Sequence, residues 1–223
     1  MASFSINNTY AGKHVLLTGA SGFLGKVWLG MMLERVPEIG RIYLLIRKKG
    51  LRPASDRFDK MVNSSFVFKN LHEQYGEKLS AFISQRVEVV EGDVTQPNFG
   101  LNDADAARLR DKLDLIVNCA GLVDFNPDLR DALATNVNGG VYAAEFTEQC
   151  KNAALLHVST CYVVGNRSGL IEETVDPTYC PSGVAFDPEA ELVGIQERIE
   201  QTIADMESSA GEEALKAEVL AKI

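Results

Sequence analysis

Three glycines three residues apart open the chemistry of this chain: Thr18-Gly19-Ala20-Ser21-Gly22-Phe23-Leu24-Gly25. Each glycine in such a run has a physical role. One permits a tight turn, one lets backbone approach a pyrophosphate, and one lets a helix pack close against a strand. The helix start then offers free N–H groups and partial positive charge to phosphates. A bare glycine triplet is also compatible with a purely structural turn. Here the context is that of a phosphate turn, because Lys13–Thr18 is a short apolar run. Phe23, Val27, Met31 and Leu33 then recur at helical spacing up to Pro37. Thr18, Gly19, Ser21, Gly22, Phe23, Leu24 and Gly25 are therefore candidate dinucleotide-binding residues. Trp28 and the ring of Phe23 are expected in the core.

A second chemical signal is Ile46-Arg47-Lys48-Lys49, with no acid nearby. Sites for NAD place Asp or Glu after the second strand to bond the ribose 2′-hydroxyl, whereas a 2′-phosphate needs a cation. Arg47 can hold a phosphate through two parallel bonds. The expected cofactor is therefore NADPH, with Lys48 and Lys49 read as a solvated basic turn. Cys119, Cys150, Cys161 and Cys180 show no C-x-x-C spacing, and His14, His72 and His157 show no ligand spacing with them. Free thiols are expected, and no metal site. His157, inside an apolar run, reads as a core histidine.

The elements that must position these groups alternate. Apolar runs at 13–18, 41–46, 86–91, 113–118 and 155–159 read as strands. Helical patterns fill the gaps: 23–36, one or two helices over 54–85 with a break near Gly76, a short polar helix at 103–112, and a long one at 127–150. The long helix is expected to bury Leu129, Leu133, Val137, Val141 and Ala144 on one face. Five strands separated by helices give an α/β fold with a doubly wound parallel sheet, Rossmann-like. Residues 166–186 read as loop. From Asp187 the chain reads as an acidic helical segment with an apolar stripe of Leu192, Ile195, Ile199, Ile203 and Met206. Ser209-Ala-Gly211 breaks it before a second short helix. The expected division is 1–170 for the nucleotide domain and 171–223 for the loop and helical segment.

Composition narrows the function classes. The chain has 223 residues and a formal net charge of −9, with 46% hydrophobic and 24% charged residues. That is ordinary globular composition. The acidic balance speaks against nucleic-acid binding, which rests on Lys and Arg neutralising phosphates. No apolar run reaches the ~20 residues that span a bilayer. Met1–Tyr10 carries no secretory signal pattern, so a cytoplasmic protein is expected.

Several separated motifs resemble one family in order. The glycine turn resembles that of the extended and atypical short-chain dehydrogenase/reductases. Phe23-Leu-Gly-Lys-Val27, Pro37–Arg47, Gly92-Asp93-Val94 with Gly100-Leu101, Asn118–Phe125, Leu129–Ala132, Asn136-Val137 and His157-Val-Ser-Thr160 narrow it to the fatty acyl-CoA reductases, or male-sterility proteins. The resemblance covers about residues 10–170. It is shared in part with thioester reductase domains. It implies that Asp93 and Val94 lie near the adenine, and that Cys119, Ala120 and Gly121 lie against the cofactor. It also implies a cofactor-helix role for Asn136. Thr160, or Ser159 as second choice, would orient the substrate carbonyl. The implied reaction is hydride transfer from NADPH to a fatty acyl-CoA thioester, giving aldehyde or alcohol. Alternatives are a thioester reductase acting on carrier-bound acyl chains, and a non-catalytic NADP-binding sensor.

The family also uses a Tyr with a Lys four residues later, and no tyrosine of this chain has one. The resemblance places that pair after a long insertion beyond the fifth strand. The expectation is a chain cut before it and inactive alone. Acyl chain length and oligomeric state stay open. So does peripheral membrane contact through the missing part.

Overall fold

The computed structural model describes residues 5–174, 179–180, 183–208 and 211, 213, 216, 217 and 220. The chain divides into two compact units, Met1–Ser159 and Thr160–Ile223.

The first unit is built on five parallel strands, β1 (His14–Leu17), β2 (Arg41–Ile46), β3 (Val87–Glu91), β4 (Leu115–Asn118) and β5 (Ala154–His157). Their order is β3-β2-β1-β4-β5. The chain thus reverses direction across the sheet between β1 and β4, the place where such sheets bind ligands. Central strands β1 and β2 are apolar and buried almost throughout, because helices cover both faces. Alternation divides the side chains of β1–β4 between two cores. Val15, Leu17, Ile42, Leu44, Ile46 and Val117 enter one, and Leu16, Tyr43, Leu45, Val90 and Ile116 the other.

The crossovers are α2 (Phe23–Arg35), then α3 (Ala54–Ser64), α4 (Lys69–Tyr75) and α5 (Leu79–Arg86), then α6 (Asp103–Lys112). The break expected near Gly76 is present, with Gly76 at φ +50°. A five-residue helix, α1 (Ile6–Tyr10), precedes the sheet, and the ring of Tyr10 meets Trp28 edge-on at 6.4 Å. Before β5, α7 (Leu129–Ala132) runs through a π-helical stretch, Leu133–Asn138, into α8 (Gly139–Glu148).

Two helical faces differ from expectation. On α8 the buried residues are Gly139, Ala143 and Phe146, while Leu129, Val137 and Val141 are 52%, 38% and 47% exposed. The wider π turn shifts the register that a 3.6-residue period assumes. On α2 the buried face is Gly25, Leu29, Gly30, Met32 and Leu33, and Met31 lies half exposed. Phe23, at its first turn, is 80% exposed and is not a core residue, whereas Trp28 packs against the core.

In the second unit, α9 (Pro188–Glu207) starts at Asp187, whose carboxylate accepts the N–H groups of Glu189 and Ala190. Leu192, Ile195, Ile199 and Ile203 are part-buried, and Met206 is exposed. The second short helix expected after Gly211 falls largely outside the described residues.

Candidate functional site

A cavity of about 290 Å³ opens at the C-terminal ends of β1, β2, β3 and β4. From the first turn come Gly19, Ser21 and Gly22. Leu45 and Ile46 come from β2, Arg47 follows it, and Gly92–Thr95 follow β3. Cys119, Ala120 and Gly121 follow β4, Thr135 comes from the π-helical stretch and Arg57 from α3.

The glycine turn is built tightly. Gly19 has φ +70°, and a Cβ there would lie 2.5 Å from the Cys119 carbonyl oxygen. A Cβ on Gly25 would meet the Gly19 carbonyl oxygen at 2.3 Å, so α2 packs directly onto the turn. Helix α2 begins at Gly22 with no side-chain cap on its first-turn N–H groups. Uncapped amides at the start of a long helix, facing a glycine cradle, suit a pyrophosphate. The residues present therefore fit a dinucleotide.

Thr18 lies wholly buried beneath the turn. Its Oγ1 accepts the N–H groups of Cys119 (3.1 Å) and Ala120 (3.0 Å) and donates to Asn118 Oδ1 at 2.6 Å. The glycine turn and the 119–121 loop thus share one hydroxyl. Asn136 pins the far end of that loop. Its amide accepts from Leu122 N–H at 2.8 Å and donates to the Leu122 carbonyl at 3.0 Å.

Asp93 is held from two sides. Its carboxylate accepts the N–H (3.0 Å) and hydroxyl (2.9 Å) of Thr95, and Arg47 Nη1 approaches at 3.4 Å. Burial alone would raise this carboxyl. The Thr95 bonds and the Arg47 charge outweigh it and hold the group below the ordinary carboxylate range. Arg57 Nη1 donates to the Arg47 carbonyl oxygen, bringing a second guanidinium to the same end of the cavity. Burial pushes the Cys119 thiol up, so it lines the cavity as a neutral group.

The structure brings Gly19, Ser21, Gly22, Arg47, Asp93, Val94, Cys119, Ala120 and Gly121 to the cavity wall. Thr18, Gly25 and Asn136 support the wall from behind. Phe23 and Leu24 do not line the cavity; they stand 80% and 51% exposed at the start of α2. Ser159 closes the first unit just beyond β5. Thr160 begins the second unit, where its Oγ1 accepts the Tyr162 N–H at 3.2 Å and caps the short turn Cys161–Val164. His157 is exposed, not in the core, and its ring bonds the Asn118 side chain.

Arg57, Thr95 and Thr135 are wall residues that the sequence reading missed. Thr95 carried a local signal, an Asp two residues before a Thr, the pattern of an Asx turn. Arg57 and Thr135 carried none, since each reaches the cavity from a helix whose facing is set by tertiary packing.

Comparison with known proteins agrees with this geometry. A family model described as "Male sterility protein" matches residues 17–217. Fatty acyl-CoA reductase 1 of Rattus norvegicus is 33% identical over 178 residues, 79% of this chain and 33% of the relative. A probable fatty acyl-CoA reductase 5 of Arabidopsis thaliana is 35% identical over 164 residues, 72% of this chain and 33% of the relative. The chain thus spans about a third of the length of these relatives. Among solved structures, the terminal R domain of the myxalamid PKS-NRPS pathway superposes with a TM-score of 0.57 at 28% identity. That match covers 73% of this chain and 39% of the other. A reductase domain of a non-ribosomal peptide synthetase from Mycobacterium tuberculosis gives 0.56 at 28%, covering 72% and 38%.

Proposed function

The chain belongs to the male sterility protein family, and on that premise we propose that it is the NADPH-holding part of a fatty acyl-CoA reductase. A nicotinamide dinucleotide is the family's cofactor class; the choice of NADPH is our reading. The observation that carries it is the pair of guanidiniums, Arg47 and Arg57, at one end of the cavity. No acid ends β2. An acid there would accept from a ribose 2′-hydroxyl and repel a 2′-phosphate, whereas two arginines favour the phosphate.

In this reading the glycine turn and the start of α2 take the pyrophosphate. Asp93, held by Thr95, and Val94 border the adenine side. Cys119–Gly121, fixed by Thr18 and Asn136, form the wall toward the nicotinamide. The cofactor, when bound, supplies the hydride. Thr160, or Ser159 as second choice, is the proposed donor to the thioester carbonyl, and 1–170 is the proposed extent of the nucleotide domain. The family's Tyr–Lys pair is not found in these 223 residues, so the chain alone should bind dinucleotide at most weakly and should not turn over.

Titration of the chain with NADPH and NADH tests the cofactor choice. Arg47→Ala and Arg57→Ala should each weaken NADPH by about tenfold, roughly 1.4 kcal/mol, and NADH far less. Equal losses for both cofactors would sink the assignment. The likeness to R domains favours a second substrate reading, a carrier-bound acyl thioester. Assay of the longer protein containing this chain, with NADPH and either acyl-CoA or acyl-carrier thioester, separates the two.

A further inference from the structure

The Thr18 hydroxyl accepts two backbone N–H groups, which occupies its lone pairs and leaves its proton for a third partner. That partner is the Asn118 side chain at 2.6 Å, a separation typical of O–H···O and short for N–H···O. The Asn118 amide is therefore set with Oδ1 toward Thr18 and Nδ2 away from it. Nδ2 then faces His157 Nδ1 at 3.1 Å. An amide N–H can only donate, so Nδ1 of His157 has to accept.

We infer that His157 is a positioning residue of the cofactor loop, set with Nδ1 as acceptor and the proton on Nε2 by a fixed-polarity chain Thr18–Asn118–His157. The chain joins the ends of β1, β4 and β5. The segments that follow these residues are the glycine turn, the 119–121 loop and Val158-Ser159. Backbone pairing alone already joins β5 to β4, with Val158 N–H on the Asn118 carbonyl at 2.9 Å. What His157 adds is the direction of the Asn118 amide. Were Asn118 to turn over, Nδ2 would confront a hydroxyl already taken by Cys119 and Ala120. The grip on that loop would loosen, and Gly19, packed on the Cys119–Ala120 peptide, would shift with it. Gly140 of α8 lies beside the ring, where even a Cβ would stand at ordinary contact distance, 3.6 Å from Cε1. The effect on cofactor rests on the dinucleotide reading above; the tautomer does not.

Three measurements on the 223-residue chain decide it. The nitrogen NMR spectrum of wild type at neutral pH should show His157 Nδ1 bare and Nε2 protonated. His157→Phe, which keeps a ring without an acceptor, should speed amide hydrogen exchange at Cys119 and Ala120 by about fivefold to tenfold. His157→Asn, whose Oδ1 stands where Nδ1 stood, should restore it. NADPH affinity should follow the same order, with Phe weakened and Asn restored. An Nδ1–H tautomer in wild type overturns the proposal. So does unchanged exchange in the Phe variant, or equal losses in Phe and Asn. If wild type binds no dinucleotide, the functional reading fails while tautomer and exchange still decide this one.

Discussion

Single atoms set the cavity wall. The hydrogen on the Gly19 α-carbon stands where any side chain would strike the peptide of Cys119 and Ala120, and its φ of +70° is a second demand for glycine. A left-handed non-glycine costs about 1–2 kcal/mol, and overpacking a rigid contact about 1–3. Gly19→Ala should therefore cost about 2–4 kcal/mol in urea denaturation and displace the 119–121 loop. Dinucleotide affinity, measured where the variant is folded, should fall at least about tenfold. A variant that lost stability but bound NADPH normally would show that the loop is not part of the site. The glycines, Arg47, Asp93 and the 119–121 run were legible as types at strand ends. Phe23 was not, because a large apolar ring in a helical pattern looks like core until the helix start is seen to be open. His157 misled for the same reason. Its neighbours are apolar, but β5 is an edge strand whose side chains are largely uncovered.

At the scale of elements, Asp93 depends on a turn that local propensity disfavours. Asn98 and Phe99 have φ of +53° and +58°, and Phe99 is nonetheless fully buried, 5.0 Å centroid to centroid from Phe146. The Phe99 carbonyl oxygen accepts the Asp93 N–H at 2.7 Å, and a Cβ on Gly92 would lie 2.5 Å from it. Burial of one aromatic ring thus holds a strained backbone, and that backbone holds a cavity residue. Phe99→Ala should cost about 3–5 kcal/mol in denaturant midpoint analysis. It should also weaken NADPH in the folded fraction, because Asp93 loses its anchor. Unaltered affinity would separate the turn from the site. Asn98 and Gly100 suit positive φ, but no local signal marks Phe99 for it. By contrast α6 was readable to its ends, because Asn102 caps it through the Asp105 N–H at 2.9 Å and its residues match its exposure. The helix pattern over 127–150 was readable as an element but not in its facing. A π turn in the middle obeys tertiary packing around Thr135 and Asn136, which a 3.6-residue period does not anticipate.

Charge belongs to the molecule as a whole. Residues 187–223 hold 10 acids and 3 bases, which leaves 1–186 nearly neutral and able to present arginines to a phosphate. Within the first unit, however, several carboxylates are tied to the fold. Arg108 and Asn102 hydrogen-bond Asp105 and lower its pKa. At Asp114 burial works upward, but Lys13 and the His14 N–H prevail, and at Asp93 the Thr95 bonds and Arg47 do the same. All three folded values lie below the unfolded value of about 3.9. A depressed carboxylate gives stability that is present in full above the unfolded pKa and is lost as pH falls through the folded one. The melting temperature should therefore hold through mildly acid pH and drop only below about pH 4. Each group is partly exposed, so each contributes modestly and salt should blunt the effect. Asp105→Asn should lower the melting temperature at pH 7 and shrink the acid drop together, since Asn cannot titrate and Arg108 keeps only Glu88. An acid drop of undiminished size in Asp105→Asn would instead show that this carboxylate is not among the groups that titrate there.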